Sequence, residues 1–332
     1  MTEGGEAGPQ GDRIQPWPYL STSPPAQHPM TAQIPIDHHF TPVFYLKAWA
    51  GLDGRLIRHS RPLDKVVAKS CAPSRTGSEA HLYTLQGVPP ERQAALETAF
   101  FRPIDDQAAV AHQILRAGRL NDLSGDQRCQ WARFMMSMTL RSPFSLGEVE
   151  RLVDQTVRAN LAVDDDEYNA LRKPGDPATI YDWTVKHEPQ IIQNAHKSFL
   201  PGLIDHGDLG HHLINMVWAT MDISAGRHPL LTSDRPFNWS GGWKDPKALL
   251  VFPLGPELLF LATNRLPLMQ AVFRNPVDRV VRQVNDTVVR LAVDFVIGRD
   301  ASQLRFIEER LRRRDQEAAP GPIGRGQPNC PT

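Results

Sequence analysis

The segment PLLTSDRPFNWSGGWKDPKALLVFPLGPELLFLAT, residues 229–263, decides the fold class. It contains three short apolar runs, PLLT, ALLVFPL and ELLFLA, separated by turns rich in Gly, Pro, Asn and Trp. Apolar runs of this length that are bounded by turn residues are typical of strands. The segment therefore predicts three short antiparallel strands.

A second β region is predicted near residues 42–60. The FYLKAW segment (44–49) is a compact apolar cluster, and residues 51–54 have glycines at both ends, which suits a turn. Residues 55–60 then alternate between polar and apolar, as in a half-buried strand. We expect this region and residues 229–263 to join one small, mostly antiparallel sheet.

Helical patterns dominate the rest of the chain. Ser124 and Gln127 have the spacing of a capping box, and the following apolar residues recur on one helical face. The predicted helices span residues 91–101, 105–117, 124–142, 146–162, 183–199, 208–223, 276–298 and 304–314. Strands that precede and follow a block of helices favour an α+β fold over a doubly wound α/β fold.

The composition of the two ends differs from that of the middle. Residues 1–33 are rich in Pro, Gly, Ser and Gln, and residues 316–332 have the same character. Such segments bury too little apolar surface to offset the entropy lost on ordering. We therefore expect a flexible tail at 1–33, a single α+β domain at 34–315 and a disordered tail at 316–332.

Charge and cysteine usage limit the function class. The chain has 37 Lys and Arg against 37 Asp and Glu, and this balance is not the signature of a nucleic-acid binder. Its three cysteines form no CxxC pair, which favours a reducing compartment. No stretch approaches the roughly 20 apolar residues that span a bilayer, and the N-terminus lacks signal-peptide features. The expected location is the cytoplasm.

No motif gives a direct enzyme assignment. The sequence has no HExxH, GxGxxG, Walker A or GxSxG pattern. An enzyme would have to use dispersed residues, so each polar candidate is considered beside a structural interpretation.

Two histidine pairs are candidates. His38 and His39 precede the FYLKAW cluster; on a loop, one could act as a base or metal ligand while the other serves as a structural donor. The alternative is a histidine hydrogen-bonded at a strand start. His211 and His212 lie three and four residues after Asp208, a spacing that metal sites use but that is more typical of a solvated helix face.

Two glutamates are further candidates. Glu79 precedes the HLY element, and Glu97 lies among apolar neighbours on a predicted helix. A carboxylate there needs a partner if it is buried, and Arg133 or Arg141 could supply one. An interhelical ion pair and a catalytic role both fit Glu97.

The SDRP turn supplies another carboxylate. Ser233 and Asp234 end an apolar run, where either a structural turn or a functional carboxylate is common. Asn285 lies beside an apolar helix face and needs a partner, which the Ser233–Asp234 loop could provide. Trp218, Trp239 and Trp243 could line a pocket or anchor the core.

These segments, in this order, resemble the bacterial family known as domain of unknown function 4238. The resemblance is carried by HHFTPVFYLKAWA with GLDGRLI, EAHLYTL, ALETAFFRPID, LTSDRPF, FPLGPELLFLA and the Val284-Asn285 pair, over about residues 36–298. It implies a shared fold and no reaction. It also implies candidate site residues: His39, Glu79, Glu97, Arg141 and Asp234 as catalytic, and Tyr45, Ser233 and Asn285 as binding.

Two functional hypotheses follow. The preferred one is a non-catalytic module that binds a small molecule or a protein, with its polar residues in structural roles. The alternative is a metal-dependent hydrolase resembling a phosphodiesterase or nuclease, with His39 as base or metal ligand and Glu79, Glu97 and Asp234 as further ligands or acid–base groups. Such a ligand set would favour Mg²⁺ or Mn²⁺. It also requires His39, Glu79, Glu97 and Asp234 to meet in one cleft, with Arg141 as a further candidate.

Overall fold

The computed structural model describes residues 35–161 and 166–312. The predicted tails at 1–33 and 316–332 lie outside the described residues. The helices are α1 (Val43–Leu46), α2 (Pro90–Gln93), α3 (Arg102–Arg116), α4 (Gly125–Leu140), α5 (Pro143–Leu161), α6 (Asp166–Leu171), α7 (Ile180–His187), α8 (Pro189–Ile204), α9 (Gly207–Asn215), α10 (Leu266–Phe273), α11 (Val277–Leu291) and α12 (Leu304–Glu308). A π-helical turn, Leu96–Phe101, leads directly into α3.

The strands form three antiparallel sheets. They are β1 (Asp37–His39), β2 (Leu56–Ser60), β3 (Val67–Cys71), β4 (Ser78–Ala80), β5 (Val217–Asp222), β6 (Thr232–Ser233), β7 (Asn238–Ser240), β8 (Leu249–Gly255), β9 (Leu258–Thr263) and β10 (Val296–Gly298). The sheet orders are β1-β4, β3-β2-β10-β6 and β5-β9-β8-β7. The α+β class predicted from the sequence is confirmed.

The expected single sheet is divided in two, because the 229–263 region splits after β6. Its first strand, β6, shares a sheet with β2, but β10 lies between them. The remaining strands form the meander β7-β8-β9, to which β5 is added at the edge. The 42–60 region and the 229–263 region thus share one sheet through β2 and β6. The strands β7, β8 and β9 of the second region belong to a separate sheet.

Two predicted helices end earlier than expected. The helix predicted over 208–223 stops at Asn215, and Val217–Asp222 instead pairs with β9 along its whole length. The helix predicted over 276–298 stops at Leu291, and Val296–Gly298 becomes a strand between β2 and β6. In both cases strand pairing with distant segments overrides the local helical spacing.

The sheet β5-β9-β8-β7 has helices on both faces. Along β9, Phe260 and Ala262 belong to the core that includes Trp131 and Phe134 of α4. Leu259 and Leu261 belong to the core beneath α11. This alternation is the period of two of a strand buried on both faces.

The capping box predicted at the start of α4 is present. The Ser124 N–H donates to Gln127 Oε1 over 3.0 Å, and the Gln127 N–H donates to Ser124 Oγ over 3.2 Å. The helix ends at Leu140, and two residues separate it from Pro143, where α5 begins. Arg141 occupies the C-cap of α4, which places its side chain beside α3.

Candidate functional site

The π-helical turn Leu96–Phe101 contains Glu97, whose side chain is partly buried. Such turns are rare and occur often at functional sites. Glu97 Oε2 is buried and has no hydrogen-bond partner. Burial raises the pKa of this carboxyl to about 7, although the nearby Arg141 charge opposes the shift. Near neutral pH the Glu97 carboxyl therefore populates both its protonated and its ionised form.

Arg141 is the central cation of this region. Its Nη1 and Nη2 donate to the two Asp105 carboxylate oxygens over 2.7 and 3.0 Å. Nη2 also donates to the His39 carbonyl oxygen over 3.4 Å, and the guanidinium lies 4.7 Å from the Phe101 ring centre. The Arg141 Nε–H is buried without a partner. Arg141 thus ties α4 to α3 and to β1.

Arg141 and Asp105 form a buried ion pair. Burial raises the pKa of Asp105, against the opposing charge of Arg141. Burial also disfavours the Arg141 charge, but the Asp105 carboxylate outweighs it and raises the pKa of Arg141. The Asp105 side chain stays 21% exposed while Arg141 is 1% exposed. Because both carboxylate oxygens receive short guanidinium hydrogen bonds, we treat the pair as ionised.

The two adjacent histidines have different environments. His38 is fully buried and stacked on Tyr83; its Nδ1 accepts the Tyr83 N–H over 2.9 Å and its Nε2 contacts the Pro35 carbonyl oxygen at 3.1 Å. His38 is therefore a structural residue. Burial lowers the pKa of His39, partly offset by a hydrogen bond to the Ser74 backbone. His39 Nε2 is buried and unpartnered.

We call His39, Glu97, Asp105 and Arg141 the polar cluster. The Ser74 hydrogen bond leaves His39 Nε2 as the free nitrogen, and in neutral imidazole that nitrogen is an acceptor. The Arg141 charge affects the pKa of both His39 and Glu97, so the unpaired atoms of these three side chains lie in one region. Among the residues that the structure describes, no group of three or more His, Cys, Asp or Glu has a metal-binding arrangement. The unpaired atoms of the cluster are hydrogen-bond donors and acceptors.

Glu79 and Asp234 have environments that differ from that of the polar cluster. Glu79 is exposed on β4, opposite His38 in the β1–β4 pair. Asp234 is buried, and its carboxylate accepts the backbone N–H groups of Val293, Asp294 and Phe295 over 3.1–3.4 Å. The convergence expected from the sequence is thus present for His39, Glu97 and Arg141. The catalytic roles given to these residues stay predictions.

The three predicted binding residues hold the scaffold together. Tyr45 is fully buried, and its hydroxyl donates to the Pro253 carbonyl oxygen over 2.9 Å and contacts Thr232 Oγ1 at 2.7 Å. Ser233 Oγ accepts the Arg235 N–H over 3.1 Å within its own turn. Asn285 accepts the Leu231 N–H and donates to the Pro229 carbonyl oxygen, both over 2.9 Å. Asn285 thus meets the segment before Ser233, close to the expected loop.

Asp105 was missed by the sequence analysis. A signal existed, because Asp105 shares helical spacing with the buried residues Ala108, His112 and Leu115 of α3. A carboxylate on such a face needs a partner. Of the two arginines expected near Glu97, Arg141 is the one in the cluster, while Arg133 forms an ion pair with Asp205.

The charge of Glu97 makes stability depend on pH. Its pKa rises from 4.5 to about 7 on folding, so the folded state retains a proton there that the unfolded chain has lost. The contribution of Glu97 to the free energy of unfolding is fully present below pH 4.5 and is lost as the pH rises to 7. The full shift corresponds to roughly 3 kcal/mol, and partial exposure should reduce it to about 1–2 kcal/mol.

Glu97→Gln is neutral at every pH and should abolish this dependence. Relative to wild type, it should gain about 1–2 kcal/mol between pH 4.5 and pH 7.5. Urea unfolding of both proteins across this range measures the difference. A constant difference would show that Glu97 titrates at its ordinary pKa.

A second feature is an apolar cleft between helices. It has a volume of about 620 Å³ and lies between α4, α5, α8, the start of α9 and residues 239–243. Leu152, Phe199 and Leu203 line it and stay 47%, 54% and 41% exposed. Trp239 and Trp243, noted as candidate pocket residues, also line it. Cavities of this size and character are typical binding sites for small molecules.

The family model for the protein of unknown function DUF4238 matches residues 37–302. The chain belongs to the DUF4238 family. The match confirms the resemblance expected over about residues 36–298, and it includes the polar cluster and the apolar cleft of this DUF4238 protein. No curated protein and no solved structure matches the chain. No helix in the described part of the chain is long and apolar enough to cross a membrane.

Proposed function

We propose that this DUF4238 protein is a binding module that holds a small, largely apolar molecule in the apolar cleft. The observation that carries the proposal is the concave apolar surface of about 620 Å³, which leaves three large side chains of its walls half exposed. Exposed apolar surface that is concave and contiguous favours ligand binding, because each Å² removed from water contributes about 25 cal/mol.

The cleft is built on rigid elements. α4 and α5 are joined by a tight connection, and α8 packs against both. The floor includes Met136 and Leu140, which are almost fully buried. A site whose walls are packed helices is held in shape before the ligand arrives, which reduces the entropy lost on binding.

Placing a charge on the wall should block binding. Leu152→Arg adds a guanidinium to the apolar cleft, so a ligand that covers it would have to desolvate that charge. We expect at least tenfold weaker binding of an uncharged fluorescent naphthalene, measured by its emission. Ile191→Arg is the matched control, because Ile191 is 57% exposed on α8 and does not line the cleft.

Equal affinities of the two variants would contradict this site. Absence of binding by wild-type protein to any of a set of apolar probes would contradict the binding function itself. Thermal unfolding of both variants establishes that they fold.

The second candidate function is hydrolysis at the polar cluster. It is favoured by the unpaired atoms of His39 and Glu97, which have altered pKa values of opposite direction. The metal-dependent form expected from the sequence needs Mg²⁺ or Mn²⁺, and the described residues form no group that fits such an ion. This candidate therefore rests on acid–base chemistry.

Titration calorimetry with Mn²⁺ and Mg²⁺ tests the metal-dependent form. Binding that is lost in His39→Ala, with the melting temperature retained, would support it. A chromogenic phosphodiester, bis(4-nitrophenyl) phosphate, assayed with and without metal, then tests hydrolysis. Turnover that Glu97→Gln abolishes would make the enzyme the leading function, and inactivity of wild type would leave the binding module.

We further propose that residues 34–315 fold as one domain and that the protein acts in the bacterial cytoplasm. The domain proposal is supported by a family match that extends over 37–302 without interruption. The location is supported by the three cysteines, which form no CxxC pair. Limited proteolysis tests the domain limits, and fractionation of the native host tests the location.

A further inference from the structure

We infer that the protein has a second binding site, an arginine-lined groove between α11 and α12 that takes a small molecule with a doubly charged phosphate group. The groove has a volume of about 490 Å³ and shares no described residue with the apolar cleft. Its test is therefore independent of the proposed function. The inference is carried by an arginine whose neighbouring acidic side chains are engaged elsewhere, and by the excess of positive charge around it.

The arginine groove lies between α11, α12 and the loop at residues 227–228. The arginines that line it are Arg227, Arg282, Arg305 and Arg310. An adjoining hollow of about 580 Å³ shares Arg282 and Arg310 with the groove and adds Arg279 of α11. The groove and the hollow thus form one continuous arginine-rich surface.

Arg282 has acidic residues on its own helix face but pairs with neither. Asp278 and Asp286 lie four residues before and after it, which is the spacing of a helical ion pair. Asp278 instead accepts the Arg227 N–H over 2.7 Å and lies 3.6 Å from the Arg227 guanidinium. Asp286 accepts the Arg310 Nε–H over 2.8 Å. Arg282 is exposed, and it forms no ion pair within the described ranges.

The same contacts place a cation on each side of Arg282. Asp278 and Asp286 are eight residues apart, which is roughly 12 Å along α11, and Arg282 lies midway between them. Arg227 is held at the first of these carboxylates and Arg310 at the second. Three guanidinium groups therefore follow one face of the helix, and solvent reaches Arg227, whose side chain is 85% exposed.

The charge of the surface determines the class of ligand. Five arginines line the groove and the hollow against three acidic residues, an excess of two positive charges. A phosphate monoester carries close to two negative charges at neutral pH, so it balances this excess, whereas a single carboxylate does not. Every lysine-type or arginine-type cation that the structure places on this surface is an arginine. The planar guanidinium donates to two phosphate oxygens at once, which favours a phosphate over other anions.

The test compares two probes of the same size that differ in charge. Phenyl phosphate is a dianion at pH 8, about two units above its second pKa, and phenyl sulfate is a monoanion. Titration calorimetry at low salt measures both affinities. In wild type we expect phenyl phosphate to bind about tenfold more tightly than phenyl sulfate.

Arg282→Gln removes the unpaired cation and should weaken binding of phenyl phosphate about tenfold. Arg282→Lys keeps the charge without the planar fork, so it should cause a smaller loss. Arg265→Gln is the matched control, because Arg265 is exposed at the start of α10, forms no ion pair within the described ranges and lines neither the groove nor the hollow. It should leave the affinity within about twofold. Melting temperatures establish that the three variants fold.

Four outcomes would overturn the inference. Equal losses in Arg282→Gln and Arg265→Gln would mean a general attraction of anions without a site. Equal affinities of the two probes would overturn the doubly charged ligand. Absence of binding by wild type would overturn the groove as an anion site and leave the apolar cleft untouched. Tighter binding of single-stranded oligothymidylate than of phenyl phosphate, lost in Arg282→Gln, would assign the surface to a nucleic-acid backbone and overturn the small ligand.

Discussion

Arg141→Met is expected to lower the free energy of unfolding by about 3–5 kcal/mol. Methionine keeps an unbranched apolar stem, but it leaves the Asp105 carboxylate without the two hydrogen bonds of 2.7 and 3.0 Å that now balance its charge. It also removes the donor to the His39 carbonyl oxygen and the cation above Phe101. An unbalanced charge in this setting costs far more than the pair itself contributes.

Urea unfolding at pH 7 measures this loss, and two further variants identify its cause. Arg290→Met removes an exposed i,i+4 pair with Asp286, so it should cost about 0.3–0.5 kcal/mol. The double variant Arg141→Met with Asp105→Leu removes both charges, and it should be more stable than Arg141→Met alone. A loss below about 1 kcal/mol in the single variant would show that Asp105 is solvated or protonated in the native protein.

The limits of sequence-based prediction are visible in the elements that build the sheets. The Ser124–Gln127 capping box was predictable because both partners lie within one turn. The strand β5 was not, because Val217 and its neighbours also fit a helix, and β9, about 40 positions away, decides between the two. β10 was missed for the same reason. Its strand conformation depends on β2 and β6, which lie far from it in the sequence.

In the candidate site, too, single residues were predictable from local sequence, whereas contacts between distant segments were not. His39, Glu97 and Arg141 were predicted as polar residues in need of partners, and the structure brings them together. The partner Asp105 was missed because the bidentate contact joins α3 to the end of α4 across 36 positions. A pocket was suggested through Trp218, Trp239 and Trp243, and the last two of these line the apolar cleft. Its other walls come from four helices, α4, α5, α8 and α9, whose relative positions no local pattern fixes.

Asp234→Ala is expected to cost about 3–5 kcal/mol, by leaving backbone N–H groups without an acceptor. The carboxylate accepts the N–H groups of Val293, Asp294 and Phe295, where the chain leaves α11 and enters β10. Each buried donor left unpaired costs about 1–3 kcal/mol. Since β10 joins β2 to β6, loosening this segment should weaken the whole sheet.

Two variants and the pH dependence make this expectation specific. Asp234→Asn keeps one accepting oxygen and should be less destabilising than Asp234→Ala, whereas Asp294→Ala removes a carboxylate that is 29% exposed and should cost about 1 kcal/mol or less.

Burial, with the nearby Asp294 charge, raises the pKa of Asp234 to about 6. Its folded pKa thus exceeds its ordinary value of 3.8, so stability from this group falls as the pH rises from 3.8 to 6. The destabilisation caused by Asp234→Ala should therefore be larger at pH 4 than at pH 7. Hydrogen exchange of the Val293–Phe295 amides provides the local measurement. Protection that survives in Asp234→Ala would mean that the segment holds its conformation without the carboxylate. The structural role of Asp234 would then be contradicted.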